Sequence, residues 1–357
     1  VTFALLASAL MPIFGIGPVA DAAADDPVEV KIGMLNPISG PIAVYAPAFT
    51  DAAELAINHL NDGQTDYHFS LVEGDSGCDG TTAASAAQTL VDSDVVGIAG
   101  AACSGATLGA QPVATEAGVP MLSYASTSPA VTMADDGDFL FRVVPSDAQQ
   151  GVAMATMAGA HGWQNPGLIY MSNDYGAGFH GAFKDNWDGD ICSESTYADG
   201  TTDFTSQVAA VADNGCDSVV MITYATDGAT IVEEIATQGL DVAIFGGDGI
   251  ADVSFGNAFT DISAISGITA TKPASGAASS LSMLFDAIYG GAAAAAGYEG
   301  GIYTRETFDA VAIIGLAQAT AYRTPVDDGV KEMLGLTVAG PDAPQLGASG
   351  VHIFDEN

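Results

Sequence analysis

Short stretches of alternating hydrophobic and polar residues recur along the chain, each followed by a longer stretch with helical spacing. Residues 28–34 alternate in this way and predict an opening strand, and residues 49–60 place apolar side chains on one face of a helix. The same succession predicts strands over 69–73, 95–99 and 120–124 and helices over 82–91 and 107–117. A second series predicts strands over 168–171, 218–223 and 243–246 and helices over 204–212 and 229–238.

A chain that alternates strands with helices forms parallel sheets covered by helices, so the pattern predicts an α/β fold. The two series of elements predict two doubly wound lobes. In such lobes the loops at the carboxyl ends of the strands contact ligands. The helix N-termini beside those loops offer free N–H groups to anions.

The composition fits two domains and argues against one class of partner. The 357 residues are 48% hydrophobic, and the length exceeds that of one ordinary core. Seven lysine and arginine residues stand against 44 acidic ones, which gives a formal net charge of −37. Nucleic acid is not an expected partner, because phosphate binding depends on basic side chains. A surface this acidic repels itself unless salt screens it, which indicates a saline habitat.

The first 24 residues predict a secretory signal peptide. An apolar stretch over 3–16 is followed by small residues that end in three alanines at 22–24. Prolines and glycines at 12–18 break the stretch before it reaches the roughly 20 apolar residues of a membrane span. We expect a protein exported to the periplasm and soluble there, and we expect that the sequence is truncated at its N-terminus.

Four cysteines lie at positions 78, 103, 192 and 216. They form two local pairs, and an exported protein can oxidise both. Four cysteines allow three connectivities, of which we favour Cys78 with Cys103 and Cys192 with Cys216. A zinc site is disfavoured, because neither pair has the spacing of a metal-binding motif or a clustered histidine.

No motif for an enzyme or a cofactor stands out. The chain lacks the nucleophile elbow, the phosphate-binding loop and the zinc-protease motif, and its five histidines are scattered. The glycine-containing loop over 100–107 lacks dinucleotide-binding spacing. We therefore expect a protein without a catalytic site, a metal or a cofactor.

Five segments carry longer motifs: NPISGPIAVYAPAFTDAAELAINHLN (36–61), GDSGCDGTTAA (74–84), GAACSGATLGAQPVATEAGVPMLSYASTSP (100–129), DYGAGF (174–179) and FGGDGIAD (245–252). In this order they resemble the type I periplasmic amino-acid-binding proteins, above all the leucine/isoleucine/valine-binding proteins of ABC importers. The resemblance implies a Venus flytrap, in which a hinge of three chain crossings joins the lobes. It also implies a disulfide between Cys78 and Cys103, whereas the Cys192–Cys216 pair has no counterpart there.

The resemblance also implies a set of ligand contacts. Ser104 matches the serine that binds the ligand α-carboxylate, Thr127 matches the threonine that binds the same group, and Ala125 offers its carbonyl to the α-ammonium. On the other lobe, Asp248 stands where the family usually has a glutamate that pairs with the ammonium. Further matches are the aromatic residues around the ligand, Tyr45, Tyr175 and Tyr224.

Three more residues are candidates for a pocket around the ligand side chain. Tyr303 falls near a position where relatives place an apolar ring, and Tyr124 could complete an aromatic wall with Tyr45. Arg305 either forms a surface ion pair with Glu306 or Asp309 or reaches a polar or acidic ligand side chain. We expect a small aliphatic amino acid, with polar or acidic amino acids and small amides as alternatives.

The resemblance predicts the organisation of the whole chain. The N-terminal lobe is expected over 25–145 plus 274–337, and the C-terminal lobe over 146–273 plus 338–357, truncated at its end. The hinge crossings are expected near 144–146, near 272–274 and after Leu336. The expected partners are a free L-amino acid and an ABC permease, with the protein as a monomer. A ligand-binding sensor or receptor domain of the same fold is the alternative.

Overall fold

A computed structural model describes residues 27–62, 64–274, 282–283, 285–290 and 301–323. The predicted signal peptide over 1–24, the third hinge crossing after Leu336 and the C-terminal segment 338–357 lie outside the described residues.

The first lobe is built on a five-stranded parallel sheet. Its strands are β1 (Val28–Asn36), β2 (Tyr67–Asp75), β3 (Ile98–Gly100), β4 (Met121–Ser123) and β5 (Leu140–Arg142), in the order β2-β1-β3-β4-β5. Its helices are α1 (Ala46–Asn61), α2 (Gly80–Asp92), α3 (Ser104–Glu116) and the short α4 (Pro129–Thr132). The crossover from one parallel strand to the next is helical, as the alternation in the sequence predicts.

The second lobe repeats this architecture. Its helices are α5 (Asp147–Ala160), α6 (Asp174–Asp185), α7 (Thr205–Asp213), α8 (Ala225–Thr237) and α9 (Val253–Asn257). Its strands are β6 (Pro166–Met171), β7 (Ser193–Tyr197), β8 (Ser218–Ile222), β9 (Ala243–Gly246) and β10 (Thr269–Ala270), in the order β10-β9-β8-β6-β7. All of its strand pairs are parallel. The predicted α/β fold with two doubly wound lobes is confirmed.

A last helix, α10 (Thr304–Arg323), returns to the first lobe. Its buried side chains Phe308, Val311 and Ile314 join the core cluster around β1 and β3. The Ile314 side chain packs closely on Gly97: a Cβ added to Gly97 would lie 2.9 Å from Cγ2 of Ile314. The first lobe is therefore built from two separate parts of the chain.

Helices α5 and α6 were not predicted from hydrophobic periodicity, yet both start with capping side chains. Ser146 accepts a hydrogen bond from the N–H of Ala148, and Asn173 accepts one from the N–H of Gly176. Such caps satisfy N–H groups that the helix itself leaves free. The strand predicted over 95–99 is found at Ile98–Gly100, while Val96 and Gly97 before it already hydrogen-bond to Lys31 and Gly33 of β1.

Both favoured disulfides are present, Cys78–Cys103 and Cys192–Cys216. The first joins the loop before α2 to the loop before α3, and the second joins the segments before β7 and β8. Among the described residues no cluster of histidine, cysteine and carboxylate side chains could hold a metal ion. None of the helices in the described ranges is long and apolar enough to cross a bilayer.

Candidate functional site

A cavity lies between the two lobes, at the carboxyl ends of both sheets. The first lobe lines it with Ile42, Tyr45, Phe49, Ala102, Cys103, Ser104, Ala125, Thr127, Ile302 and Tyr303, and the second with Tyr175, Tyr224, Asp248 and Gly249. The seven residues predicted to contact the ligand all line this cavity, and so does Tyr303.

One wall of the cavity is built for an anion. Ser104 is the first residue of α3, and its Oγ accepts a 3.2 Å hydrogen bond from the N–H of Ser128. Ser104 and Thr127 are both buried, and Cys103 before them offers no side-chain cap to the helix. The free N–H groups and the positive end of the α3 dipole therefore face the cavity beside two hydroxyl groups.

Hydrogen bonds behind this wall fix its loops. Ser123 donates to the carbonyl of Ala101 at 2.7 Å, and the Thr107 and Ser126 hydroxyls lie 2.8 Å apart. Thr107 also accepts from the N–H of Ala101 at 2.9 Å. These groups are all buried, so each hydrogen bond replaces one that water would otherwise provide. The Ser104 and Thr127 loops are thus held in one arrangement.

The opposite wall carries the buried carboxylate of Asp248, in a short 3₁₀ turn after β9. Its Oδ1 accepts hydrogen bonds from Tyr175 Oη at 2.9 Å and from Gln150 Nε2 at 3.4 Å, and its Oδ2 accepts one from Tyr303 Oη at 2.7 Å. Burial raises the pKa of Asp248, while the hydrogen bonds from Tyr303 and Tyr175 act in the opposite direction. A cation placed beside it would favour the ionised form.

A second buried carboxylate, Asp147, lies next to the cavity without lining it, and its N–H donates to the carbonyl of Thr127 at 2.7 Å. The sequence did not single it out. It is the first residue of α5 and is fully buried. Neither of its carboxylate oxygens has a hydrogen-bond partner among the described residues. Burial and the charge of Asp248 raise its pKa well above the usual value, against a smaller opposing effect of Thr127 and Arg142. Its position directly after the first expected hinge crossing is a signal that could have identified it.

Aromatic rings enclose the space between the two walls. Tyr175 and Tyr224 stack with ring centroids 5.5 Å apart and an interplanar angle of 6°. Tyr45 and Phe49 form a second pair, with centroids 6.1 Å apart. Burial raises the pKa of the Tyr175 and Tyr303 phenols well above the ordinary value, and the nearby Asp248 adds to the effect. These hydroxyl groups therefore remain protonated and act as hydrogen-bond donors.

The lobes touch on several sides of the cavity. Tyr45 of the first lobe is hydrogen-bonded to Ser254 of the second, and the N–H of Ile302 donates to Asp252 Oδ2 at 3.0 Å. The Tyr224 ring packs against the core clusters of both lobes. A ligand in the cavity is thereby shielded from water.

Two residues expected in the pocket lie elsewhere. Tyr124 is fully buried in the first lobe, where its ring packs on Phe49 and its hydroxyl donates to the carbonyl of Leu35 at 3.1 Å. Arg305 forms a two-pronged ion pair with Asp286, in which Nη2 lies 2.6 Å from each carboxylate oxygen. Neither residue lines the cavity. The expectation of a pocket role is corrected for Tyr124. For Arg305 the structure shows the ion-pair alternative, with Asp286 as the partner in place of Glu306 or Asp309.

A family of known proteins matches nearly all of the described chain. The family model described as periplasmic binding protein matches residues 29–348. The chain belongs to this family. Its two-lobed fold is that of the type I periplasmic binding proteins, and the description of the family places its members outside the cytoplasm.

Individual relatives agree with this assignment. The Leu/Ile/Val-binding protein of Citrobacter freundii is 25% identical over 251 residues, which are 69% of this chain and 68% of the relative. A branched-chain amino acid transporter substrate binding protein from Streptococcus pneumoniae, solved in complex with isoleucine, is 26% identical. Its TM-score is 0.77, and the match covers 92% of each chain. A leucine binding protein from Thermotoga maritima is 25% identical, with a TM-score of 0.79 and coverage of 92% of this chain and 91% of that one.

Proposed function

We propose that this protein binds a free, small aliphatic L-amino acid of the branched-chain class in the cavity between its lobes and delivers it to an ABC importer. The observation that carries the proposal is that one wall of the cavity suits an anion and the opposite wall suits a cation. The hydroxyls of Ser104 and Thr127 and the N–H groups at the start of α3 line the same cavity as the buried carboxylate of Asp248 on the other lobe. A zwitterion has the complementary charges.

The unused hydrogen-bonding capacity of Asp248 supports the ammonium contact. An ionised carboxylate has about four lone-pair sites. Among the described residues Oδ1 accepts two hydrogen bonds, whereas Oδ2 accepts one, from Tyr303. One site on Oδ2 is left for an N–H donor of the ligand. The carbonyl of Ala125, which lines the cavity as well, is the second acceptor that we assign to the ammonium.

The remaining lining supports an apolar ligand side chain. Ile42, Phe49 and Ile302 present hydrocarbon surface, and the hydroxyls of Tyr175 and Tyr303 already donate to Asp248. A polar side chain would lose its hydrogen bonds to water without finding free partners there, which costs about 1–3 kcal/mol per group. Leucine, isoleucine and valine meet no such penalty.

A thermal-shift screen against the twenty amino acids and small amides tests the ligand class. A ligand at 100 times its Kd stabilises by about 2.7 kcal/mol. L-Leucine is compared with 4-methylpentanoate, which lacks the ammonium, and with 3-methylbutylamine, which lacks the carboxylate. We expect only the zwitterion to stabilise the protein. Equal stabilisation by either truncated compound, or by an amide alone, would overturn the amino-acid assignment, and consumption of a ligand detected by mass spectrometry would indicate an enzyme.

Delivery and organisation form the second part of the proposal. We assign residues 25–145 plus 274–337 to one lobe and 146–273 plus 338–357 to the other, behind a signal peptide over 1–24, in a monomeric periplasmic protein. The described strands agree with these limits, because β5 ends at Arg142 and β10 ends at Ala270. Uptake of labelled leucine by vesicles that carry the cognate permease should require this protein. Binding without any stimulated uptake would favour a sensor.

A further inference from the structure

Helix α6 of the second lobe packs against the start of α4 in the first lobe at Gly178. A Cβ on Gly178 would lie 2.5 Å from Ser128 Oγ and 3.0 Å from Pro129 Cδ. Ser128 is fully buried, and its Oγ accepts from the N–H of Ala130 at the start of α4. The serine therefore cannot turn away without giving up this cap. The contact admits a glycine and no larger residue while the lobes are together.

The surface that Gly178 meets belongs to the anion-binding wall. The N–H of Ser128 donates to Oγ of Ser104, the residue assigned to the ligand carboxylate. A neighbouring contact is more tolerant. A Cβ on Gly105 would lie 2.9 Å from Asp174 Oδ2, but Asp174 is exposed and its side chain can move.

We propose that Gly178 is the residue that permits closure of the lobes, because it lets α6 come to rest on Ser128 behind the carboxylate-binding Ser104. The proposal rests on the proposed function for the identity of the ligand, but the contact itself is a property of the two lobes. A group that clashes only in the closed form lowers the closed population, and the apparent affinity for a ligand that needs this form falls by the same factor.

The chain supplies a matched control one turn further along the same helix. A Cβ on Gly181 would meet no atom within 4 Å. Gly178→Ala and Gly181→Ala make the same chemical change, and alanine favours a helix interior over glycine. Without ligand, both variants should therefore unfold at the wild-type temperature or slightly above it.

Calorimetry with L-leucine then separates the two glycines. We expect Gly178→Ala to bind at least about tenfold more weakly than the wild type and Gly181→Ala to bind within about twofold. Equal affinities for the two variants would overturn the proposal. A lower unfolding temperature for Gly178→Ala without ligand would also count against it, since the glycine would then be needed within the second lobe.

A second measurement reports closure without any amino acid. In the double variant Gly105→Cys/Asp174→Cys the two thiols face each other across the lobes, since a Cβ at position 105 lies 3.8 Å from Asp174 Cγ. Bridging by dibromobimane, which becomes fluorescent when both thiols have reacted, follows how often the lobes meet. Adding Gly178→Ala should slow bridging about tenfold, whereas adding Gly181→Ala should leave it unchanged. If bridging differs in this way but L-leucine does not bind the wild type, the ligand assignment fails and the role of Gly178 stands. Equal bridging rates would refute that role even if leucine binds.

Discussion

Tyr303 on the first lobe and Asp248 on the second are joined by a 2.7 Å hydrogen bond from the phenol to Oδ2 of the carboxylate. Tyr303 precedes helix α10 and has a positive φ of 66°, a backbone conformation that residues other than glycine seldom adopt. The carboxylate assigned to the ligand ammonium therefore also bridges the lobes. The proposed ammonium contact and the hydrogen bond between the lobes thus share one side chain.

Tyr303→Phe removes this hydroxyl and keeps the ring. A hydrogen bond to a charged group contributes about 1.5–3 kcal/mol, so we expect L-leucine to bind at least tenfold more weakly in calorimetry. Tyr289→Phe is the matched control, because its hydroxyl donates to the carbonyl of Ala48 within the first lobe and lies away from the cavity. A Tyr303→Phe affinity equal to that of the control would show that the phenol does not hold the closed form.

Asp248→Asn keeps the shape of the side chain and removes its charge. The dehydrated ammonium would lose its counter-ion in a cavity that excludes water, which costs on the order of 2–5 kcal/mol. Affinity for L-leucine should fall at least about thirtyfold. Asp241→Asn, an exposed change in the same lobe, controls for the altered net charge. Unchanged binding by Asp248→Asn would favour an uncharged ligand.

Ser104→Ala should weaken binding less than Asp248→Asn does. The helix N–H groups and Thr127 still hold the carboxylate, so we expect a loss on the order of 1–3 kcal/mol, which includes the N–H of Ser128 left without its acceptor. Calorimetry with L-leucine on the two variants under identical conditions shows which of them loses more affinity. A larger loss for Ser104→Ala would move the main recognition of the ligand to the carboxylate wall.

The free energy of unfolding of the ligand-free protein should depend on Asp147. Its pKa in the folded protein is raised, chiefly by burial and by Asp248, so folding favours the protonated form. This destabilising contribution is fully present above the raised pKa and disappears as the pH falls toward the unfolded value of about 3.9. Asp147→Asn should therefore raise the unfolding temperature at neutral pH and flatten its pH dependence. Each 1 kcal/mol corresponds to about 2–4 °C. An unfolding temperature that Asp147→Asn lowers at neutral pH would mean that the carboxylate is stabilising.

Both disulfides should stabilise the protein, but only the Cys78–Cys103 disulfide should also affect the affinity for leucine. Each closes a loop of about 25 residues, and its removal should cost roughly 3–4 kcal/mol of stability. Cys103 lines the cavity beside Ser104, whereas Cys192 and Cys216 lie outside it. Replacing Cys192 and Cys216 by serine should lower the unfolding temperature and leave leucine affinity within about twofold. The same change at Cys78 and Cys103 should reduce both, and equal affinities in the two double variants would contradict this division.

Periodicity and motifs predicted the two lobes well, because strand and helix patterns are local properties of the sequence. The orientation of Tyr124 could not be predicted in this way. It follows β4, and whether a residue at a strand end faces the cavity or the core depends on the path of the loop, which neighbouring residues alone do not determine. The structure turns it into the core against Phe49.

Asp147 and the partner of Arg305 were missed for a related reason. Helix α5 is rich in alanine, glycine and methionine and carries no clear apolar stripe, so periodicity did not predict it, and only the nearby hinge crossing pointed to its first turn. Asp286 lies 19 residues before Arg305, and only the fold brings the two side chains together. Contacts between distant segments were predictable where a family motif supplied them, as at Ser104 and Asp248.

Helix α10 has a consequence for the order in which the lobes can assemble. The second lobe takes its described strands and helices from the continuous stretch 147–270, so all of them are available once that stretch has been synthesised. The first lobe begins earlier in the chain, but its core stays open until Phe308, Val311 and Ile314 arrive. Closing that long loop is an entropic barrier that the second lobe does not share. The five described strands of the second lobe can therefore pair before α10 completes the core of the first lobe.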